Sequence, residues 1–227
     1  MAVDFSRPIS SVESLFSLSP FSVVATVFRL TGHVTNEQLE QAVATVQQNH
    51  ALLQVKMVIN EKNEKRFSAR DVGPIPIETI PRKSAAHWME VYHQHCAIPF
   101  DFDKRPCIRF ILLQSELKCD LIIFAHHIIC DGVSLAYLGR DILSAIGDPK
   151  TSHAEAIPAE PVNITNIPPG VKPNWLFKFA LKRITKKFRK NREVFDFEDY
   201  KALHAAYWKN FTHHMLPLEL DRNETAK

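Results

Sequence analysis

No window of this 227-residue chain approaches the roughly 18 consecutive apolar residues that a bilayer span requires. The first twenty residues lack a basic opening and a continuous apolar stretch, which excludes a signal-peptide reading. Cysteine is sparse: Cys96, Cys107, Cys119 and Cys130 stand far apart, and no pair has the Cys-x-x-Cys spacing of a zinc or redox site. Scattered single thiols suit a reducing compartment better than a disulfide framework, so the expected location is cytoplasmic. The net charge of +3 is too mild to imply an acidic partner by itself, and no internal repeat is found. What is abundant is apolar matter, 45% of residues hydrophobic and 10% aromatic. That suffices for one sizeable core plus an appendage and argues against whole-chain disorder.

Periodicity orders the first two thirds. Residues 22–31 are rich in β-branched side chains and read as a strand. Thr35 and Gln38 have the spacing of a capping box, and Leu39, Ala42, Val43 and Val46 then recur at helical intervals, predicting a helix over 36–49. Residues 52–60 alternate and read as a strand, with weaker strand candidates at 65–68 and 76–80. Ser84 is the expected N-cap of a helix over 85–96 whose inner face carries Trp88, Val91, Tyr92 and His95. Two apolar runs, 107–114 and 119–127, are joined by Ser115–Lys118 and predict a hairpin deep in a sheet. A helix over 133–146 follows, with Leu135, Leu138, Ile142 and Ile146 facing in, ended by Gly147 and Pro149. Residues 148–174 hold Pro158, Pro161, Pro168, Pro169 and Pro173 and read as a linker or crossing segment. Two further helices are expected near 174–190 and 197–211. Strands interleaved with helices define an α/β lobe with a mixed, largely antiparallel sheet flanked by helices.

Chemistry concentrates at the end of the 119–127 run. Side chains alternate faces along a strand, so His126 and His127 point opposite ways: one can face a cleft while the other is held in packing. Asp131 follows four residues later, and Gly132 permits a tight turn into the next helix. An imidazole at a strand end beside a helix N-terminus is a reasonable general base, because its ordinary pKa of about 6.5 lets it accept a proton at neutral pH.

The run His126-His127-Ile128-Ile129-Cys130-Asp131-Gly132 resembles the HHxxxDG signature of the condensation-domain and chloramphenicol-acetyltransferase-like superfamily. Pro99-Phe100-Asp101 through Pro106-Cys107-Ile108-Arg109 is similar to the stretch that precedes the motif there, and Asn49-His50-Ala51-Leu52-Leu53 to the family's RHxxLR segment, with Gln54 where many relatives have arginine. The resemblance covers about 8–146 and continues more faintly to 220. It implies a chloramphenicol-acetyltransferase-like lobe that moves an acyl group from coenzyme A, or from a phosphopantetheine-bearing carrier protein, to a hydroxyl or amine acceptor. On that implication His127 is the base, His126 is structural, and Asp131 turns away from the cleft to pair with an arginine, Arg109 first and Arg29 second. Gly132 allows the turn, and its backbone lies near the reacting centre. Neither a metal nor a covalent acyl-enzyme is used, and the acyl thioester is a co-substrate rather than a bound cofactor. Family members have two lobes with a tunnel between them, and a DFGWG-like motif in the second. That motif is absent here. The expected organisation is a first lobe at 1–147, a Pro-rich linker at 148–174 and a crossing segment at 175–227 leading to a second lobe supplied elsewhere.

Other features weigh against this reading or sit beside it. A non-catalytic binding or scaffold module would keep the fold with half a tunnel. Cys130 invites a nucleophile assignment, but nothing nearby in the sequence lowers a thiol pKa. His93 and His95 are two apart on a helix and do not share a face, which rules them out as a metal pair. His213-His214 reads as surface or loop, and Arg109 as either Asp131's partner or a side chain snorkelling at a sheet edge. Residues 175–192 carry eight Lys or Arg and no acid, with Phe177, Leu181, Ile184 and Phe188 on one arc. The segment is a basic amphipathic helix that packs on the lobe, meets an anionic membrane surface, or docks an acidic carrier protein or coenzyme A phosphates. No recognition motif accompanies it, so no nucleic-acid partner is expected.

Overall fold

The computed structural model describes residues 6–10, 12–62, 64–148 and 195–211, together with Trp175, Phe179 and Met215. Seven strands lie within it: β1 (Ser6–Pro8), β2 (Val23–Thr31), β3 (Lys56–Ile59), β4 (Lys65–Ser68), β5 (Ile77–Pro81), β6 (Ile108–Gln114) and β7 (Lys118–His126). The helices are α1 (Glu13–Phe16), α2 (Asn36–Asn49), α3 (His87–Cys96), α4 (Gly132–Gly147) and α5 (Phe197–Asn210).

The main sheet has the order β2-β7-β6-β5. The β6–β7 hairpin is antiparallel, with Arg109 opposite Phe124. Strand β2 adds antiparallel to β7, and β5 adds parallel to β6. The hairpin is buried on both faces, which explains why its sequence is continuously apolar rather than alternating. On one face Phe110, Leu112, Leu121 and Ile123 pack with Leu39 and Val43 of α2 and Leu135 and Ile142 of α4. On the other, Ile111, Leu113, Ile122 and Phe124 join Val91 of α3, Met57 and Phe67 of the small β1-β4-β3 sheet, and Tyr200 of α5.

The Thr35–Gln38 capping box opens α2, and Gln54 closes it by donating to the carbonyls of Gln47 and Gln48 at 2.8 and 3.1 Å. Helix α4 lies so close to β2 that a Cβ on Gly139 would fall 2.0 Å from the Phe28 ring. Two expected boundaries move. Ala51–Leu53 form a 3₁₀ turn before a shorter β3, because His50 and Ala51 carbonyls take the Leu53 and Gln54 N–H groups. Helix α3 starts after Ala86, since the Ser84 hydroxyl and carbonyl are spent on a preceding turn. The linker reading for 148–174 lies outside the described residues beyond Asp148, as does His213-His214. So does the basic 175–192 segment, except for Trp175 and Phe179, which are helical and exposed. Among the described residues no helix is long and apolar enough to cross a membrane.

Candidate active site

The two histidines part company where β7 ends. His126 is fully buried, with Nε2 3.1 Å from the Ser19 carbonyl and Nδ1 accepting from the Ile128 N–H at 3.3 Å. These partners place its proton on Nε2. Phe100 and Phe102 meet the ring edge-on. Burial, aided by nearby His127 and His204, holds its pKa down to about 4 despite the Ser19 carbonyl, so it stays neutral. His127 is half-buried and lines a cavity of about 310 Å³ with Glu13, Phe16, Leu52, Ile129, Asp131 and Ser134. Its backbone N–H donates to the Ser22 carbonyl at 2.7 Å, and its ring stacks on Phe16. Neither ring nitrogen makes a hydrogen bond among the described residues.

The wall opposite β7 is built by α1, which sequence periodicity missed. Ser10 and Glu13 exchange hydrogen bonds, N–H to Oε2 at 2.7 Å and N–H to Oγ at 3.2 Å. This reciprocal pattern has a legible sequence signal, Ser-x-x-Glu. Arg7 from β1 grips Glu13 with two charge-assisted bonds of 2.8 and 2.6 Å in a buried site. Burial alone would raise the Glu13 carboxyl, but Arg7 and the Ser10 N–H outweigh it and hold it below the usual value. The loop between α1 and β2 contains Leu18 in the left-handed region (φ 58°), held there with its side chain buried.

Asp131 departs from expectation. It does not turn away from the cleft but helps line it, and no arginine among the described residues forms an ion pair with it. Its carboxylate instead caps α4, accepting from the Ser134 N–H at 2.8 Å and the Ser134 hydroxyl at 2.7 Å. These bonds, with a contribution from His127, hold its pKa below the usual value. The reason is local: a carboxylate one residue before a helix finds free N–H donors closer than any arginine. Arg109 is 7% exposed and sits on an interior strand, not a sheet edge. It donates to the His95 and Ile98 carbonyls at the end of α3 (2.9 and 2.6 Å) and lies over the Phe100 ring. Arg29 faces its cross-strand neighbour Asp120, which Arg82 also grips at 2.7 Å.

Gly132 opens α4 without a positive φ, and a Cβ there would meet nothing within 4 Å. The bend is made by Asp131 in an extended conformation, so the turn does not require glycine. Burial pushes the Cys130 thiol up to about 12, with the Asp131 charge adding to it, which leaves no nucleophilic thiolate. Among the described residues no group of three or more His, Cys, Asp or Glu is placed to hold a metal ion.

A β-hairpin that ends in a histidine pair, one sealed and the other facing a cleft, followed at once by an aspartate-capped helix, belongs here to a chloramphenicol-acetyltransferase-like fold. The first condensation domain of the calcium-dependent antibiotic synthetase has this fold, with a TM-score of 0.58 at 14% identity over 67% of this chain and 40% of that one. The starter condensation domain of rhizomide synthetase RzmA gives 0.54 at 14% identity over 66% of this chain and 40% of that one. A family model of the condensation domain matches residues 10–152, and the chain belongs to that family, one of acyl and peptidyl transfer. Curated relatives include a polyketide synthase-nonribosomal peptide synthetase of Aspergillus clavatus, 31% identical over 56% of this chain. Another is a linear gramicidin synthase of Brevibacillus parabrevis, 29% identical over 51% of this chain. The chain spans only 3% and 2% of those two proteins.

Proposed function

We propose that this chain supplies the His127 half of a condensation-type site, moving an acyl group from a thioester to an amine or hydroxyl acceptor. A single contrast carries the reading: His126 is sealed, neutral and fully hydrogen-bonded, whereas His127 faces a cavity with both ring nitrogens free of hydrogen bonds among the described residues. In this mechanism the acceptor's lone pair attacks the thioester carbonyl while His127 takes the acceptor's proton. The tetrahedral adduct then collapses, breaking the carbon–sulfur bond, and the departing thiolate takes the proton back from the His127 imidazolium. Asp131 acts through the loop: by capping α4 it fixes the turn that follows His127. The donor is a phosphopantetheine thioester on a carrier protein, as the synthetase kinship suggests, or acyl-coenzyme A. The setting is the assembly of nonribosomal peptides.

Residues 148–174 and 175–227 serve as linker and crossing segment to a second lobe, from the same polypeptide, a split partner or a second copy. The overlap with only 40% of solved condensation domains favours a second reading, that these residues alone bind without turning over. Holding two substrates together is worth roughly 7–11 kcal/mol of barrier, and one wall supplies little of it. Thiol release from a panel of acyl-coenzyme A and acyl-carrier thioesters, with amine acceptors and a His127→Ala control, tests both readings. His127-dependent release supports catalysis by this chain. Release that appears only when a second lobe is added supports the half-site. Release that is indifferent to His127→Ala in the two-lobed form refutes the base assignment.

A further inference from the structure

The His127 cleft does not end at His127. A second cavity of about 280 Å³ shares Leu52, Ile129, Cys130 and Ser134 with it, so the two form one groove. The extension is walled by Leu53, Ile108, Leu135 and Leu138, which suit a hydrocarbon chain. Its volume falls just below the roughly 300–1,000 Å³ of drug-sized ligand sites, which leaves room for a short hydrocarbon chain.

Two larger polar side chains stand in this aliphatic wall, His50 and Tyr137. His50 Nε2 lies 3.5 Å from Asp141 Oδ2. Asp141 is itself fixed: its Oδ1 accepts from Arg140 Nε and Nη2 at 3.0 and 2.8 Å, and Arg140 packs over the Tyr137 ring at 5.0 Å. A carboxylate facing Nε2 selects the tautomer with its proton there. Nδ1 is then a lone-pair acceptor, and it makes no hydrogen bond among the described residues. A ligand carboxylate would be repelled by Asp141 behind the ring, whereas a hydroxyl would be matched.

Resting on the reading of the His127 cleft as a thioester site, we propose that His50 is a specificity residue of this groove. Oriented by Asp141, it accepts a hydrogen bond from a hydroxyl on an aliphatic acyl chain whose thioester end lies at His127.

The test uses the full chain and two thioether probes that cannot be turned over, the analogues of octanoyl-pantetheine and ω-hydroxyoctanoyl-pantetheine. Ligand-observed NMR titration should show the hydroxylated probe binding roughly three- to tenfold tighter, the span of one net hydrogen bond. His50→Phe keeps an aromatic ring without the acceptor and should bind both probes alike. Asp141→Asn should narrow the preference while both probes still bind. In the unmutated chain the His50 ring-nitrogen resonances should move with the hydroxylated probe and not with the plain one, a readout that needs no variant to fold. Equal binding of the probes to the unmutated chain, or a preference that survives His50→Phe, overturns the His50 assignment and leaves the thioester reading standing. Binding of neither probe also overturns the His50 assignment, while the thioester reading stands or falls by His127-dependent thiol release in the two-lobed form.

Discussion

The Phe16 ring lies flat against His127, centroids 4.4 Å apart and planes within 9°. The stack ties the imidazole to α1, which the Arg7–Glu13 pair anchors in turn. Phe16→Leu, which keeps apolar bulk but not the flat face, should lower the acyl-transfer rate about two- to tenfold, the worth of one aromatic pair. Binding of acyl-pantetheine probes should be nearly unchanged. An unaltered rate would show that Phe16 only fills space.

His127→Ala and His126→Ala should separate activity from stability. The first removes the proposed base and should cost on the order of 10² or more in rate in a two-lobed form, with little change in the unfolding midpoint. The second empties a sealed site and orphans the Ser19 carbonyl and Ile128 N–H, so it should destabilise by roughly 2–4 kcal/mol. Urea denaturation beside the rate assay checks both. The reverse pattern would exchange the two roles.

Acid should loosen the lobe before carboxylates titrate. Burial holds both His126 and His204 down to about 4, the latter with Arg109 adding, so each stays neutral in the fold and charges on unfolding. The unfolded chain therefore binds more protons between about pH 6.5 and 4, and the stability present above 6.5 declines across that window as pH falls. Glu13 and Asp131 have lowered values, so their contributions are lost at lower pH still. Urea midpoints at several pH values should fall through the window, and His204→Leu should flatten part of the slope. A midpoint constant from pH 7 to 4.5 would contradict this account.

Two glycines on α4 should behave oppositely. Gly132→Ala meets open space at a helix start and should leave stability unchanged or slightly higher. Gly139→Ala drives a methyl into Phe28 and should lose about 1–3 kcal/mol unless the ring moves aside. Thermal unfolding of the two variants decides, and comparable midpoints would show that β2 yields to α4 freely.

The sequence made the hairpin, α2, α4 and the opposite facing of His126 and His127 legible, because each rests on a local period: two along β7, near 3.6 along the helices. The Arg109–Phe124 register follows from the short turn that joins the two runs. The role of Asp131 was not legible, because a local capping rule competes there with the arginine pairing that the resemblance implies. The α1 wall was missed because four helical residues are too few for periodicity, although Ser10 and Glu13 carried a capping signature. His50 and Asp141 come together only when α2 and α4 pack side by side, and nothing local in either segment announces it.

The facing of the two histidines has a consequence for how this segment tolerates change in length. Ser115–Lys118 is a surface turn, and residues added there leave the ladder between β6 and β7 in place. One residue added between Cys119 and His126 would carry every later side chain to the opposite face. The sealed imidazole would emerge into the cleft, its neighbour would turn to the sealed side, and Ala125 would stand where His126 now meets Phe100 and Phe102. Insertions and deletions in this hairpin should therefore be confined to the turn, which makes the paired histidines a gauge of strand register as well as a chemical motif.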